Sequence, residues 1–435
     1  MRGEELVGFL HSDLSGLNRG RSVLASELES RLESGVGWVP ADQALTPFGP
    51  IAEPNPWGST GDLRLMPDRA TGARVDLWDD VSPLHFFLCD AANTDGSAWD
   101  SCPRTLLKDA LARLEREAGL CLVASFEHEF LLRGPTLESG PGFSFEAQRL
   151  VEPFGPLVMA ALRQAGLEPE VFLPEYGEGQ FEIPCAPAGG LVAADRAAAT
   201  REVVREVARR LGHRASFAPM SDPEGVGNGV HVHMSLVDQE GRPVSYDPEG
   251  RGGLSATAAR FAAGILEHLP ALCAFTAPSV ISYLRLGPHH WSAGFGYVGE
   301  RDREATIRIP PLAKGDPARQ FNLEFRAADA AACPHLALAV LVLAGLRGIE
   351  EDLPEPHLME GDPSELDEEE QKRLNLRPLP NSLEEAIGAL ESDTVVRSWL
   401  SKDLLDCYLS LKRAEISLLD GADPKEACER YLGVY

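Results

Sequence analysis

Leu122-Val123-Ala124-Ser125-Phe126-Glu127-His128-Glu129-Phe130-Leu131-Leu132 reads as a β-strand, because aliphatic, β-branched and aromatic residues enclose an alternating centre. Successive side chains of a strand point to opposite faces. Glu127 and Glu129 therefore share one face, while Phe126, His128 and Phe130 share the other. Two neighbouring carboxylates repel unless something positive lies between them, and a divalent cation is the usual solution. Taken alone, the stretch reads equally as an exposed strand with two solvated acids.

The pattern recurs downstream. Gln180-Phe181-Glu182-Ile183 sets an acid opposite two apolar residues, and Glu175 precedes Glu182 by seven residues across a Gly-containing turn. Val230-His231-Val232-His233-Met234-Ser235 puts two imidazoles and a hydroxyl on one face. Leu323-Glu324-Phe325-Arg326 puts a carboxylate beside a guanidinium, again with an apolar reverse. Strands of this kind in one sheet build a polar funnel on an apolar floor. Five carboxylates and one imidazole are an oxygen-rich donor set, which suits Mg²⁺ or Mn²⁺ better than zinc.

The rest of the chain sets bounds. Its 435 residues leave room for two or three domains. A formal net charge of −27 argues against nucleic acid or an anionic membrane as partner. No apolar run approaches the ~20 residues of a membrane span, and the N-terminus lacks the pattern of a signal peptide. The eight cysteines include no CxxC pair. They are expected to be reduced and buried in a cytoplasmic protein.

Residues 1–100, rich in strand signals, Gly and Pro, read as a small α+β domain with an irregular loop over 48–61. Ser26–Ser34 reads as one short helix. Pro103 opens a clear amphipathic helix, which marks the boundary to a second domain over 101–435. Helices are expected over 154–166, 192–211, 256–272, 332–349, 382–390 and 401–418, as a layer behind the sheet. The acidic, Pro-containing stretch 350–380 reads as an exposed excursion.

Several of these segments, in order and spacing, resemble the glutamine synthetases over nearly the whole chain. They are Phe126-Glu127-His128-Glu129-Phe130, Glu175 to Glu182, Gly227 to Ser235, Ser282-Tyr283-Leu284-Arg285, Arg303 to Pro310, and Glu324-Phe325-Arg326. The resemblance implies an α+β fold, with a β-grasp-like N-terminal domain and a catalytic domain built on a curved antiparallel sheet backed by helices. It implies a ligase of nitrogen metabolism, in which ATP phosphorylates the γ-carboxylate of glutamate and an amine displaces the phosphate. Carried over by position, Glu129, Glu175 and Glu182 hold one Mg²⁺ or Mn²⁺, and Glu127, His231 and Glu324 a second, with two or three ions per site. Gly227, Arg285 and Arg326 bind glutamate. Arg303 and Arg308 face the phosphates, Arg303 and Arg285 serve the transfer, and His233 and Ser235 meet the nucleotide. The family also implies a homo-oligomer, a dodecamer of two hexameric rings with active sites shared between neighbours.

Two departures bear on the amine. The family's flap glutamate, six positions after the arginine of Ser-Tyr-x-Arg, is replaced by Trp291. The first-domain aspartate that helps hold ammonium has no counterpart in Phe48-Gly49-Pro50, and the nearest acid is Glu53. Ammonium needs negative charge nearby to be bound and deprotonated, whereas an indole suits the carbon part of a larger amine. The expected reaction is therefore γ-glutamylation of an amine other than ammonia, with plain glutamine synthesis as the alternative and a non-catalytic role as a remote one. Glu53 or Glu300 moved into the site would restore the lost charge. Met220, Ile281, Leu284 and Asn322 are further departures from the family pattern.

Overall fold

A computed structural model describes residues 3–287, 292–359, 361, 363–374 and 376–435. In the N-terminal part, β1 (Leu6–Ser12), β2 (Asn18–Leu24), β3 (Val36–Trp38), β4 (Leu63–Pro67), β5 (Ala73–Val75) and β6 (Leu84–Asn93) form one sheet. Its order is β2-β1-β6-β4-β3, with β5 also on β6. Alternation buries Val7, Phe9, Leu65 and Phe87 beneath it. Ser26–Ser34 is a 3₁₀ turn, Ala25–Glu27, followed by a helix over Leu28–Ser34.

The helix α1 (Pro103–Ala118) joins the two parts. Pro103 occupies its first turn, where a missing N–H costs nothing, and Gly119 closes it at φ 67°. Arg104 pins the parts together. Its guanidinium donates to Asp68 Oδ2 at 2.7 Å and Asp90 Oδ1 at 3.0 Å in the first part. It also grips Asp195 in the second through two bonds of 2.8 Å.

The second sheet contains β7 (Leu120–Arg133), β8 (Leu173–Pro174), β9 (Gln180–Pro184), β10 (Ala188–Gly189), β11 (Arg214–Ser216) and β12 (Val230–Asp238). It continues with β13 (Phe295–Glu300), β14 (Ala305–Ile309), β15 (Leu323–Phe325), β16 (Leu358–Met359) and β17 (Arg377–Pro378). The order is β16-β13-β14-β15-β12-β7-β9-β8, with β10 and β11 on β7 and β17 on β13. Pairing is antiparallel except where β13 meets β14 and β16. The 350–380 stretch is thus not wholly an excursion, because β16 and β17 extend the sheet through backbone hydrogen bonds that side-chain patterning does not report.

Behind the sheet lie α2 (Gly190–Arg210), α3 (Ala256–Thr276), α4 (Pro334–Glu350) and α5 (Lys402–Leu418), while α6 (Pro424–Leu432) packs in a separate apolar cluster with Met220 and Ile281. The axes of α3 and α4 approach closely because Gly264 faces Gly348, and a methyl on Gly264 would sit 2.7 Å from the Gly348 nitrogen. By length and composition alone α3 could cross a membrane, but 72% of its apolar window is buried in this layer. Sequence periodicity does not separate those two cases. All eight cysteines are free, and all but Cys121 are buried.

Candidate active site

The candidate site lies on the face of the second sheet opposite the helices, and strand register assembles it. Glu129 of β7 pairs with Glu182 of β9, and Glu127 of β7 with His231 of β12. His233 of β12 pairs with Glu324 of β15, which pairs in turn with Arg308 of β14. Each partner is directly opposite, so all these side chains emerge on one face. They line a cavity of about 920 Å³ together with Glu175, Gly227, Arg285, Arg303 and Arg326.

The carboxylates crowd one another. Burial, followed by Glu127, Glu129 and Glu175, pushes the Glu182 carboxyl up to about 9. Burial and then Glu129 push Glu175 up to about 7. Burial works against ionising Glu127 too, but contacts from His231 and His233 hold it well below the usual carboxylate range. His231 Nδ1 lies 3.3 Å from Glu127 and 3.6 Å from Glu324, and His233 Nε2 lies 3.1 Å from Glu127. Burial disfavours the His233 imidazolium, yet Glu127 raises it to about 9.

This donor set fits divalent cations. Glu127, Glu182 and His231 bring ligand atoms within 4.8 Å of one another, and so do Glu127, His233 and Glu324. A cation would replace the protons that the crowding forces onto Glu175 and Glu182. The second group contains His233, which sequence reasoning had assigned to the nucleotide.

Arginines occupy the adjoining wall. Arg308 Nη1 donates to Glu324 Oε2 at 2.6 Å, and Arg326 Nη1 donates to Glu324 Oε1. Arg326 Nε donates to the Arg303 carbonyl at 3.0 Å, and Arg285 Nη2 to the Ala328 carbonyl at 2.8 Å. Gly227 makes room for Arg285, since a methyl there would stand 2.7 Å from Arg285 Cδ.

Most sequence-predicted residues therefore converge, with two exceptions. Ser235 does not line the cavity, and its hydroxyl donates to the Phe321 carbonyl at 2.7 Å. Trp291 lies outside the described residues. Asn322, a departure from the family, accepts through Oδ1 from His233 Nδ1 at 2.8 Å. Neither acid proposed as a replacement is here. Glu300 lines a separate cavity with Asp302 and Glu304, and Glu53 lines a groove beside α5.

Gln180 was missed. Its Nε2 donates at 2.9 Å to both the Gly227 carbonyl and Asn228 Oδ1, and lies 3.5 Å from Glu129. It thereby ties the Gly227 turn to the carboxylates. The signal was available, since Gln180 shares a strand face with Glu182.

Comparison with known proteins follows the same lines. Residues 2–99 match the glutamine synthetase N-terminal domain, and residues 100–431 the glutamine synthetase catalytic domain. The chain is 34% identical to the gamma-glutamylpolyamine synthetase GlnA3 of Streptomyces coelicolor, over 100% of this chain and 94% of that protein. It is 31% identical to a glutamine synthetase of Halobacterium salinarum, over 99% and 94% respectively. Among solved structures, a novel glutamine synthase homolog superposes with a TM-score of 0.92 at 45% identity, over 100% of this chain and 99% of the other. The GmaS/ADP complex gives 0.81 at 27% identity, over 97% and 95%. With both domain types matched end to end, and the carboxylate strands inside the matched span, the chain belongs to the glutamine synthetase family.

Proposed function

We propose that this chain is an ATP-dependent ligase that joins glutamate, through γ-glutamyl phosphate, to an amine other than ammonia. The family uses ATP and divalent metals, and the amine is the open variable. One observation carries the reading. Among the described residues lining the cavity, the only acids are the five carboxylates of the cluster, and the remaining wall includes Phe143, Leu173, Tyr176, Met220 and Val226. No acid is left over to hold an ammonium ion, while an apolar wall receives the carbon part of an alkylamine or polyamine. The Trp291 substitution and the likeness to a gamma-glutamylpolyamine synthetase support the same reading.

Glu129, Glu175 and Glu182 would hold one cation, and Glu127, His231 and Glu324 the other. When bound, such cations neutralise the phosphates of ATP and draw charge from the transferring phosphoryl group. Arg285 and Arg326 meet glutamate carboxylate, to which a guanidinium fork is matched, and Gly227 leaves room for that approach. Arg303 and Arg308 stabilise charge on the transferring phosphoryl. His233 faces the nucleotide.

A ring-shaped homo-oligomer, a dodecamer in the cytoplasm, belongs to the same proposal. It is supported by the position of Glu53 in a groove away from its own chain's cavity, which leaves the first domain free to complete a neighbour's site.

Plain glutamine synthesis is the second reading, favoured by several glutamine synthetases of near-equal identity to this chain. Phosphate release from ATP with Mg²⁺ and glutamate, compared between ammonium and a panel of monoamines, diamines and polyamines, separates the two. Preference for an organic amine is expected. Efficient turnover with low ammonium would overturn the proposal, and silence with every amine despite bound metal would turn attention to the acid substrate.

A further inference from the structure

Arg201 and Arg205 stand one turn apart on α2 and project to the same side. Arg201 is 1% exposed. Its Nη1 donates to the Ala330 carbonyl at 2.6 Å, but Nε and Nη2 are buried without a partner. That pair of atoms forms the edge with which a guanidinium grips two oxygens of one oxyanion. Arg205 adds a buried, unpartnered Nη2 beside it. Its side chain remains 25% exposed, which leaves the pair open to solvent at one end.

The chain supplies too little negative charge. Among the described residues no carboxylate forms an ion pair with Arg201. Arg205 has Glu202 at 3.2 Å, whose same oxygen already accepts from Asn18 Nδ2 at 3.0 Å. The other acidic groups facing Arg201 are the Tyr435 phenol and the Cys333 thiol. Burial keeps both protonated, the thiol being pushed up to about 12. A buried cation without a counter-charge is destabilising, because its lost hydration is not replaced.

The same gap is felt from the sheet. His128 points away from Glu127 and Glu129 toward the helices, and its Nδ1 is also buried without a partner. Its ring lies edge-on to Phe217, 5.9 Å between centroids, and the Arg205 guanidinium stands 5.2 Å from that same Phe217 ring. The geometry points to a second ligand site, in which a small oxyanion of the carboxylate or phosphate class is held between Arg201 and Arg205, behind β7. Its occupant would brace the Ala330 turn, four residues beyond Arg326.

The test is thermal unfolding of the full-length, metal-free and nucleotide-free protein at constant ionic strength. Sodium phosphate, acetate and chloride are titrated separately. A saturable rise in melting temperature with phosphate or acetate beyond that with chloride is expected, and the more effective titrant assigns the class. The rise should vanish in Arg205→Met and persist in Arg303→Met, which alters the active cavity instead. If Arg205→Met does not fold, Arg205→Lys keeps the charge without the fork and should bind about tenfold more weakly. A rise unaffected at Arg205, or lost only at Arg303, overturns the proposal. So does a crystal grown in selenate that shows ordered water, or no anomalous peak, between the two guanidinium groups.

Discussion

Arg308 Nη1 lies 2.6 Å from Glu324 Oε2, so a guanidinium rests on a carboxylate that also serves the proposed cation site. Glu324 is 1% exposed and Arg326 holds its other oxygen. Removing one partner of a buried ionic cluster leaves the others uncompensated. Glu324→Gln should therefore destabilise the protein by about 3 kcal/mol in urea unfolding, and should abolish Mg²⁺-dependent stabilisation. Unchanged stability would mean that Arg308 and Arg326 find other counter-charges.

Glu182 should behave in the opposite way. It stands directly across from Glu129 and is forced to carry a proton by burial and its acidic neighbours. Glu182→Gln relieves that crowding, so the metal-free protein should gain about 1 kcal/mol. The Mg²⁺-induced shift in melting temperature should shrink at the same time. Loss of stability without metal would contradict the crowding argument.

Gly227→Ala tests the approach to Arg285. The added methyl must displace the Arg285 side chain, and Gln180 holds the same turn from the other side. KM for glutamate should rise at least about tenfold, since a displaced fork loses a charge-assisted hydrogen bond. Nucleotide binding, followed by fluorescence or calorimetry, should be unaffected. Equal weakening of both would point to collapse of the whole pocket.

The junction between the two parts should be acid-sensitive. Burial opposes ionising Asp195, but Arg104 and His335 bring its pKa down to about 2, against about 3.9 in an unfolded chain. A lowered carboxyl pKa gives stability that is present above the unfolded value and is lost as pH falls through the folded one. Burial also lowers the pKa of His335 below its usual value, so its protonation favours unfolding on the same acid side. Urea unfolding from pH 7 to pH 3 should show stability falling first below about 6.5 and more steeply below about 4. Asp195→Asn should cost about 3 kcal/mol at pH 7 and flatten the acid limb.

Much of this site was legible because strand alternation is a local rule. Glu127 with Glu129, His231 with His233, and Glu324 with Arg326 could each be placed on one face from sequence alone. Which strands are neighbours is not local. The proximity of His233 to Glu324 depends on β12 lying beside β15, 91 residues separating the two side chains along the chain. The short strands β16 and β17 were unreadable because two residues carry no period. The last helix, α6, was missed although Asp423 caps it and Pro424 begins it. Arg201 and Arg205 looked like ordinary polar positions on an amphipathic helix, because burial of a charge leaves no mark on periodicity.

The directly opposed pairs along β9, β7, β12 and β15 make the chemistry a guard against misassembly. A one-residue slip of any of these strands turns every side chain over. Slipped β7 would press Glu127 and Glu129 into the space of Phe126 and Phe130, among the apolar helices, and aim those rings at the acids of its neighbours. Among the described residues, the cations that act on His128 from that side are Arg201 and Arg205. The acids proposed to hold the cations thus also proofread the sheet, and a substitution that neutralises them should loosen strand register as well as metal binding.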